Sequence, residues 1–180
     1  LIPEDQVLQL IKIIKPLIGF IKQNNEEHAF ISNHLATAAA AIILWNKLAN
    51  ESSQRHLEII NQIIQHQSTE GWYREYEGAD PGYQTLCTYY LAYEIEYSQD
   101  EELEESLIKS VEFLKYFIHP DGSLGGLYGS RNTKVYYPGG IIDLGRNIPG
   151  FYGIAMGAEK GFDKNVHILP ESIDIGNFIP

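Results

Sequence analysis

The chain has almost no sulfur and few cations. Cys87 is its one cysteine, so an internal disulfide and a cysteine-based zinc site are both excluded. Thirteen Lys and Arg face 24 Asp and Glu, a formal net charge of -11. Such a field repels phosphate, which argues against nucleic acid or an anionic membrane surface as partner. No apolar run approaches the roughly 20 residues of a membrane span. The six histidines, at 28, 34, 56, 66, 119 and 167, have no metal-ligand spacing, so no metal or other cofactor is expected. "GSLGGLYG" is glycine-rich but lacks the lysine-serine of a phosphate loop, which excludes nucleotide binding there. The chain starts at Leu1 without methionine and stops on Pro180, so it reads as a piece of a longer one. The compartment, bacterial periplasm or cytoplasm, stays open.

What is present is helix. At 180 residues and 44% hydrophobic, the chain can bury one core, and residues 1–180 read as one domain. The first helix follows Pro3, its apolar positions Val7, Leu10, Ile11, Ile14, Leu17 and Ile21 at helical spacing, with Pro16 expected to kink or divide it. The second, from about Ser32 to Ala49, contains "ATAAAAIILW" and has little polar face. The third starts near Ser52 or Ser53 with a stripe of Leu57, Ile60, Ile63 and Ile64. The fourth follows Pro81, and "YQTLCTYYLAYEI" is apolar nearly all round; Cys87 is expected to pack there as a small side chain. The fifth is capped by Asp100 and followed by a run of glutamates. A glycine-interrupted sixth is expected from Pro149 to Lys160.

Amphipathic and fully apolar helices thus alternate. A two-layer helical barrel makes this pattern, with inner helices walled by outer ones. The fold class read here is all-α, an α/α toroid built as an incomplete barrel of helical hairpins, with long Gly- and aromatic-rich loops at one rim. An internal echo agrees: Glu70-Gly71 and Asp121-Gly122 stand 51 residues apart (121 − 70), as do Gly78 and Gly129.

In an alternating barrel every outer-to-inner connection lies at the same end. Three segments qualify: 28–34 ("HAFISNH"), 70–84 ("EGWYREYEGADPGYQ") and 119–140 ("HPDGSLGGLYGSRNTKVYYPGG"). They are expected to meet around one mouth, where the inner helices also aim their N-terminal N–H groups. Loops so rich in aromatics and hydrogen-bonding groups suit sugars, which offer apolar faces and hydroxyl edges. The candidate ligand-binding residues are Trp72, Arg74, Glu75, Tyr76, Gln84, Tyr128, Arg131 and Asn132. Arg131 can hold a carboxylate with two parallel bonds.

"SNHLATAAAAIIL", "GWYREYEGADPGYQTL" and "DGSLGGLYGSRNT" resemble the α/α-toroid domain of heparinase II/III-like polysaccharide lyases and their uncharacterised bacterial relatives, over about Ser32 to Pro138. The resemblance implies β-elimination on a uronate-containing glycan. Asn33, at the start of an inner helix, would neutralise the uronate carboxylate, helped by Arg131. Tyr83 would move the proton at the scissile linkage, and His34 completes the implied catalytic set. Gln84 stands where the family often has histidine. Those lyases also draw a histidine from a β-sandwich domain, which here would come from a further domain or a partner chain. Two other readings are a toroid that binds or assembles on glycans without cleaving them, and a terpenoid-cyclase-like toroid, for which no DxDD acid cluster is present.

Overall fold

The computed structural model describes residues 3–95, 100–119, 126, 129, 137–147 and 153–154, the side chains of 146 and 147 excepted. These residues form six helices: α1 (Glu4–Gln23), α2 (Ser32–Ala49), α3 (Arg55–Gln65), α4 (Pro81–Ile95), α5 (Glu101–Leu114) and α6 (Gly139–Asn147). Among the described residues β structure is limited to isolated bridges, so the all-α expectation holds.

Local chemistry sets most of the ends. Asp100 caps α5, its carboxylate accepting from the N–H groups of Glu102 and Leu103 at 3.0 and 3.1 Å. α2 ends on Asn50 in the left-handed region, and the Glu51 N–H reaches back to the Asn46 carbonyl. α3 begins later than Ser52 or Ser53. The Asn46 side chain donates to the Ser53 carbonyl at 2.8 Å, tying that stretch to α2 before the helix can start. α1 is not divided at Pro16. The ring removes the donor for the Lys12 carbonyl, but Lys12 is exposed, so water can serve it.

α6 was not foreseen. Gly139 and Gly140 fall at the end of the connection expected over 119–140, yet they are what lets the helix start there. A Cβ on Gly140 would fall 2.7 Å from Tyr89 Cα, so α6 crosses α4 at a distance only glycine permits. Of the expected helix from Pro149 to Lys160, only residues 153 and 154 are described, and both are helical.

α2 packs against α1, α3 and α4; α4 packs against α2, α5 and α6; α3 also touches α5. α2 and α4 each bury nine residues, against six for α5, three for α3 and one for α1. Ile42, Ile59, Ile60, Ile63, Leu91, Leu103, Leu107, Val111 and Leu114 form one core between α2, α3, α4 and α5. Each such side chain contributes about 1.5–3 kcal/mol by leaving water. Cys87 lies fully buried among them. α2 is not apolar-buried all round, however. His34, Thr37, Leu44 and Leu48 form an exposed strip on the side that none of its neighbours covers.

Candidate functional site at the helix starts

The segments leading into α2 and α4 are hydrogen-bonded to each other. Ile31 and Glu75 form an antiparallel bridge, and Glu75 forms another with Gly78. The Arg74 carbonyl accepts from Ser32 twice, at 3.0 Å from its N–H and 2.7 Å from its hydroxyl. The Tyr76 N–H donates to the Phe30 carbonyl at 2.9 Å. Tyr76 takes a φ of 56°, a conformation that costs a bulky residue energy and that these surrounding bonds hold in place.

At the centre is Glu75. α2 has no capping side chain of its own. Instead, the Glu75 carboxylate accepts from the Asn33 N–H at 2.8 Å and from Asn33 Nδ2 at 2.7 Å. It is a cap supplied from 42 residues away, and both partners are buried. Burial pushes the Glu75 carboxyl up to about 7, and the nearby Asp80 charge pushes the same way; the Asn33 bonds and His34 oppose them. The group therefore changes charge near neutral pH.

Asp80 performs the same task for α4. Its Oδ1 accepts from the N–H groups of Gly82 and Tyr83, each at 3.0 Å. A Cβ placed on Gly129 would lie 3.2 Å from the Asp80 carboxylate oxygens, and Gly129 has φ +66°. The Tyr137 N–H donates to Thr85 Oγ1 at 2.9 Å. Parts of the 70–84 and 119–140 segments thus reach the start of α4, while 30–33 meets 74–76.

The remaining sequence candidates divide. His34 is exposed, and its Nδ1 pairs with Glu26 at 2.9 Å; that bond lowers the Glu26 carboxyl. Tyr83 is half-buried in the first turn of α4. Trp72 is half-buried, its indole N–H on Glu70 at 3.2 Å. Arg74 donates to the Tyr76 carbonyl and to Glu77, at 2.8 and 2.9 Å. Tyr76 is 53% exposed. Gln84 is placed differently from these: it is fully buried, its Oε1 accepting from the Tyr73 N–H and its Nε2 donating to the Gly71 carbonyl and Ser110 Oγ. With both ends of the amide used inside the protein, it holds the loop to α5. Tyr128, Arg131 and Asn132 lie outside the described residues.

Two members of this cluster were not singled out from sequence. Asp80 was readable in "DPG", since Asp before a helix-opening proline is a capping signal. Glu26 had no signal, because its partner His34 is fixed only by the path of 24–31. Among the described residues no group of three or more His, Cys, Asp or Glu is placed to hold a metal ion, and no helix is long and apolar enough to cross a membrane. A shallow depression lined by Gln67, Ser68, Glu102, Glu105, Ser106 and Lys109 shares no residue with the cluster. Comparison with protein-family models, curated proteins and solved structures finds no match to this chain.

Proposed function

We propose that the chain is part of an α/α toroid that processes acidic, uronate-containing polysaccharide by β-elimination. The observation that carries this reading is the pairing of 30–33 with 74–76, which ties the start of α2 to the loop leading into its neighbour α4. Asn33 and His34 stand on α2, Tyr83 on α4. The alternation of inner α2 and α4 with outer α3 and α5 supports the toroid.

In this reading Tyr83 or His34 removes the proton α to the uronate carboxylate. The electron pair forms the new C=C bond as the C–O bond at C4 breaks, and a proton returns to the leaving oxygen. Asn33 Nδ2 carries two N–H groups, and Glu75 takes one. The other can face a substrate carboxylate. A fixed Glu75 charge would repel that carboxylate. A Glu75 carboxyl raised to about 7 does so less, because part of the population is neutral near pH 7. Glu26 would orient the His34 ring.

One observation favours a second reading, a toroid that binds glycan without cleaving it. The Asn33–Glu75 bonds already satisfy a helix start, which is sufficient reason for both residues. Incubation with uronic-acid polymers separates the two. A lyase produces an unsaturated sugar that absorbs in the ultraviolet; a binding module retains the polymer with no rise in absorbance.

A further inference from the structure

The tight turn at 75–78 carries a residue that its geometry does not favour. Glu75 and Gly78 exchange both backbone hydrogen bonds, at 2.9 and 3.1 Å, which leaves Tyr76 and Glu77 as the central pair. Tyr76, the first of them, has φ 56°. Two-residue hairpin turns with positive φ there favour Gly, Asn or Asp, because a Cβ strains the left-handed backbone. Elsewhere the chain follows this rule: the other positive-φ positions among the described residues are Asn50, Gly71 and Gly129. The backbone of Tyr76 is held from both sides. Its N–H donates to the Phe30 carbonyl at 2.9 Å, and its carbonyl accepts from Arg74 Nε at 2.8 Å. The ring itself is 53% exposed, whereas Glu75 beside it is buried on Asn33. A bulky side chain kept on a strained backbone and largely in solvent marks a use outside the fold.

We propose that the Tyr76 ring is a platform on which a sugar ring of the polymer stacks, retained at a cost in stability. The assignment rests on the glycan reading proposed for the helix starts and adds the residue that grips a sugar beside them. A sugar ring has an apolar face of C–H groups, and the flat face of a tyrosine matches it without charge while its hydroxyl stays wet. The place suits that role. The bonds between 30–33 and 74–76 tie Tyr76 to the segment that carries Asn33, with His34 next in the first turn of α2. One turn thus supplies both the buried cap, Glu75, and the exposed platform, Tyr76. Stacking holds ground and transition states alike, so the ring acts on affinity rather than on turnover.

Tyr76→Asn separates this from a structural role, because Asn tolerates the left-handed backbone and removes the ring. Two readouts are taken: thermal unfolding, and retardation by polygalacturonate and by alginate in affinity electrophoresis. The expected result is an unfolding midpoint equal to that of the wild type or roughly 2–4 °C higher, with affinity for the retarding polymer falling roughly tenfold. Tyr76→Phe, which keeps the ring, should restore most of that affinity together with the wild-type midpoint. A lower midpoint in Tyr76→Asn would overturn the inference, because the ring would then be holding the loop. Undiminished polymer affinity in Tyr76→Asn would overturn it as well, while leaving the glycan reading in place. No retardation of the wild-type protein by either polymer would instead overturn the glycan reading, and with it the sugar as the partner of this ring.

Discussion

Asn33 and Glu75 are joined by two hydrogen bonds, 2.8 Å from the Asn33 N–H and 2.7 Å from its side-chain amide, one to each carboxylate oxygen. Because they are 42 residues apart, the bonds do more than cap α2. They fix the start of α2 against the loop that leads into α4. Asn33→Ala removes one donor from a buried carboxylate and should cost about 1–3 kcal/mol, read by urea or thermal unfolding. Glu75→Ala leaves two buried Asn33 donors without an acceptor and should cost at least as much. Unchanged stability in both variants would mean that the two loops are held by the backbone bonds alone.

The charge state of Glu75 gives a pH signature. Its folded pKa, about 7, lies above the ordinary value of 4.5. The folded state therefore binds this proton more tightly than the unfolded state. The contribution to stability is fully present below about 4.5 and is lost as pH rises through about 7. The full loss is on the order of 3 kcal/mol. Carboxylates such as Glu26, lowered by His34, slope the other way. The readout is thus the difference between wild type and Glu75→Gln, measured from pH 4 to 8. That difference should shift in favour of Glu75→Gln as pH rises, and a flat difference would count against a buried titrating Glu75.

Asp80→Asn should have two effects. It keeps a capping oxygen but loses the charge's attraction to the N-terminus of α4, costing about 0.3–1 kcal/mol. It also removes a negative charge that holds the Glu75 carboxyl up, so the Glu75 transition should move to lower pH. Observing the stability loss without the pH shift would separate Asp80 from Glu75 electrostatically.

Gly71 tests the loop itself. It has φ +98°, and a Cβ there would collide with the Lys109 carbonyl oxygen. Gly71→Ala should destabilise by roughly 2–4 kcal/mol, visible as a lower unfolding midpoint. A neutral result would mean that the loop does not press on α5 as described.

Much of this was legible because it depends on local chemistry. The run of α2, the Asp100 cap and the burial of the α4 core follow from composition, periodicity and local capping. The meeting of 28–34 with 70–84 was readable from the helix alternation. What sequence did not reveal depends on partners far along the chain. Gln84 looked like a ligand-facing amide. It turns inward because the Tyr73 N–H, the Gly71 carbonyl and Ser110 all need a partner at that point. α6 was hidden because Gly139-Gly140 falls at the end of the connection expected over 119–140, and only the fold brings Tyr89 against it. The exposed strip on α2 was hidden for a similar reason. Alanines and leucines announce burial, but not which side a neighbour fails to cover.

The central claim is tested most directly by following ultraviolet absorbance while the protein acts on a uronic-acid polymer, with Tyr83→Phe in parallel. Deleting the hydroxyl keeps the ring, so the first turn of α4 should remain folded. The account predicts that absorbance rises with the wild-type protein and that Tyr83→Phe slows it by roughly 10²–10⁴-fold with little change in polymer binding. No absorbance change in the wild type, or full activity in Tyr83→Phe, would contradict it.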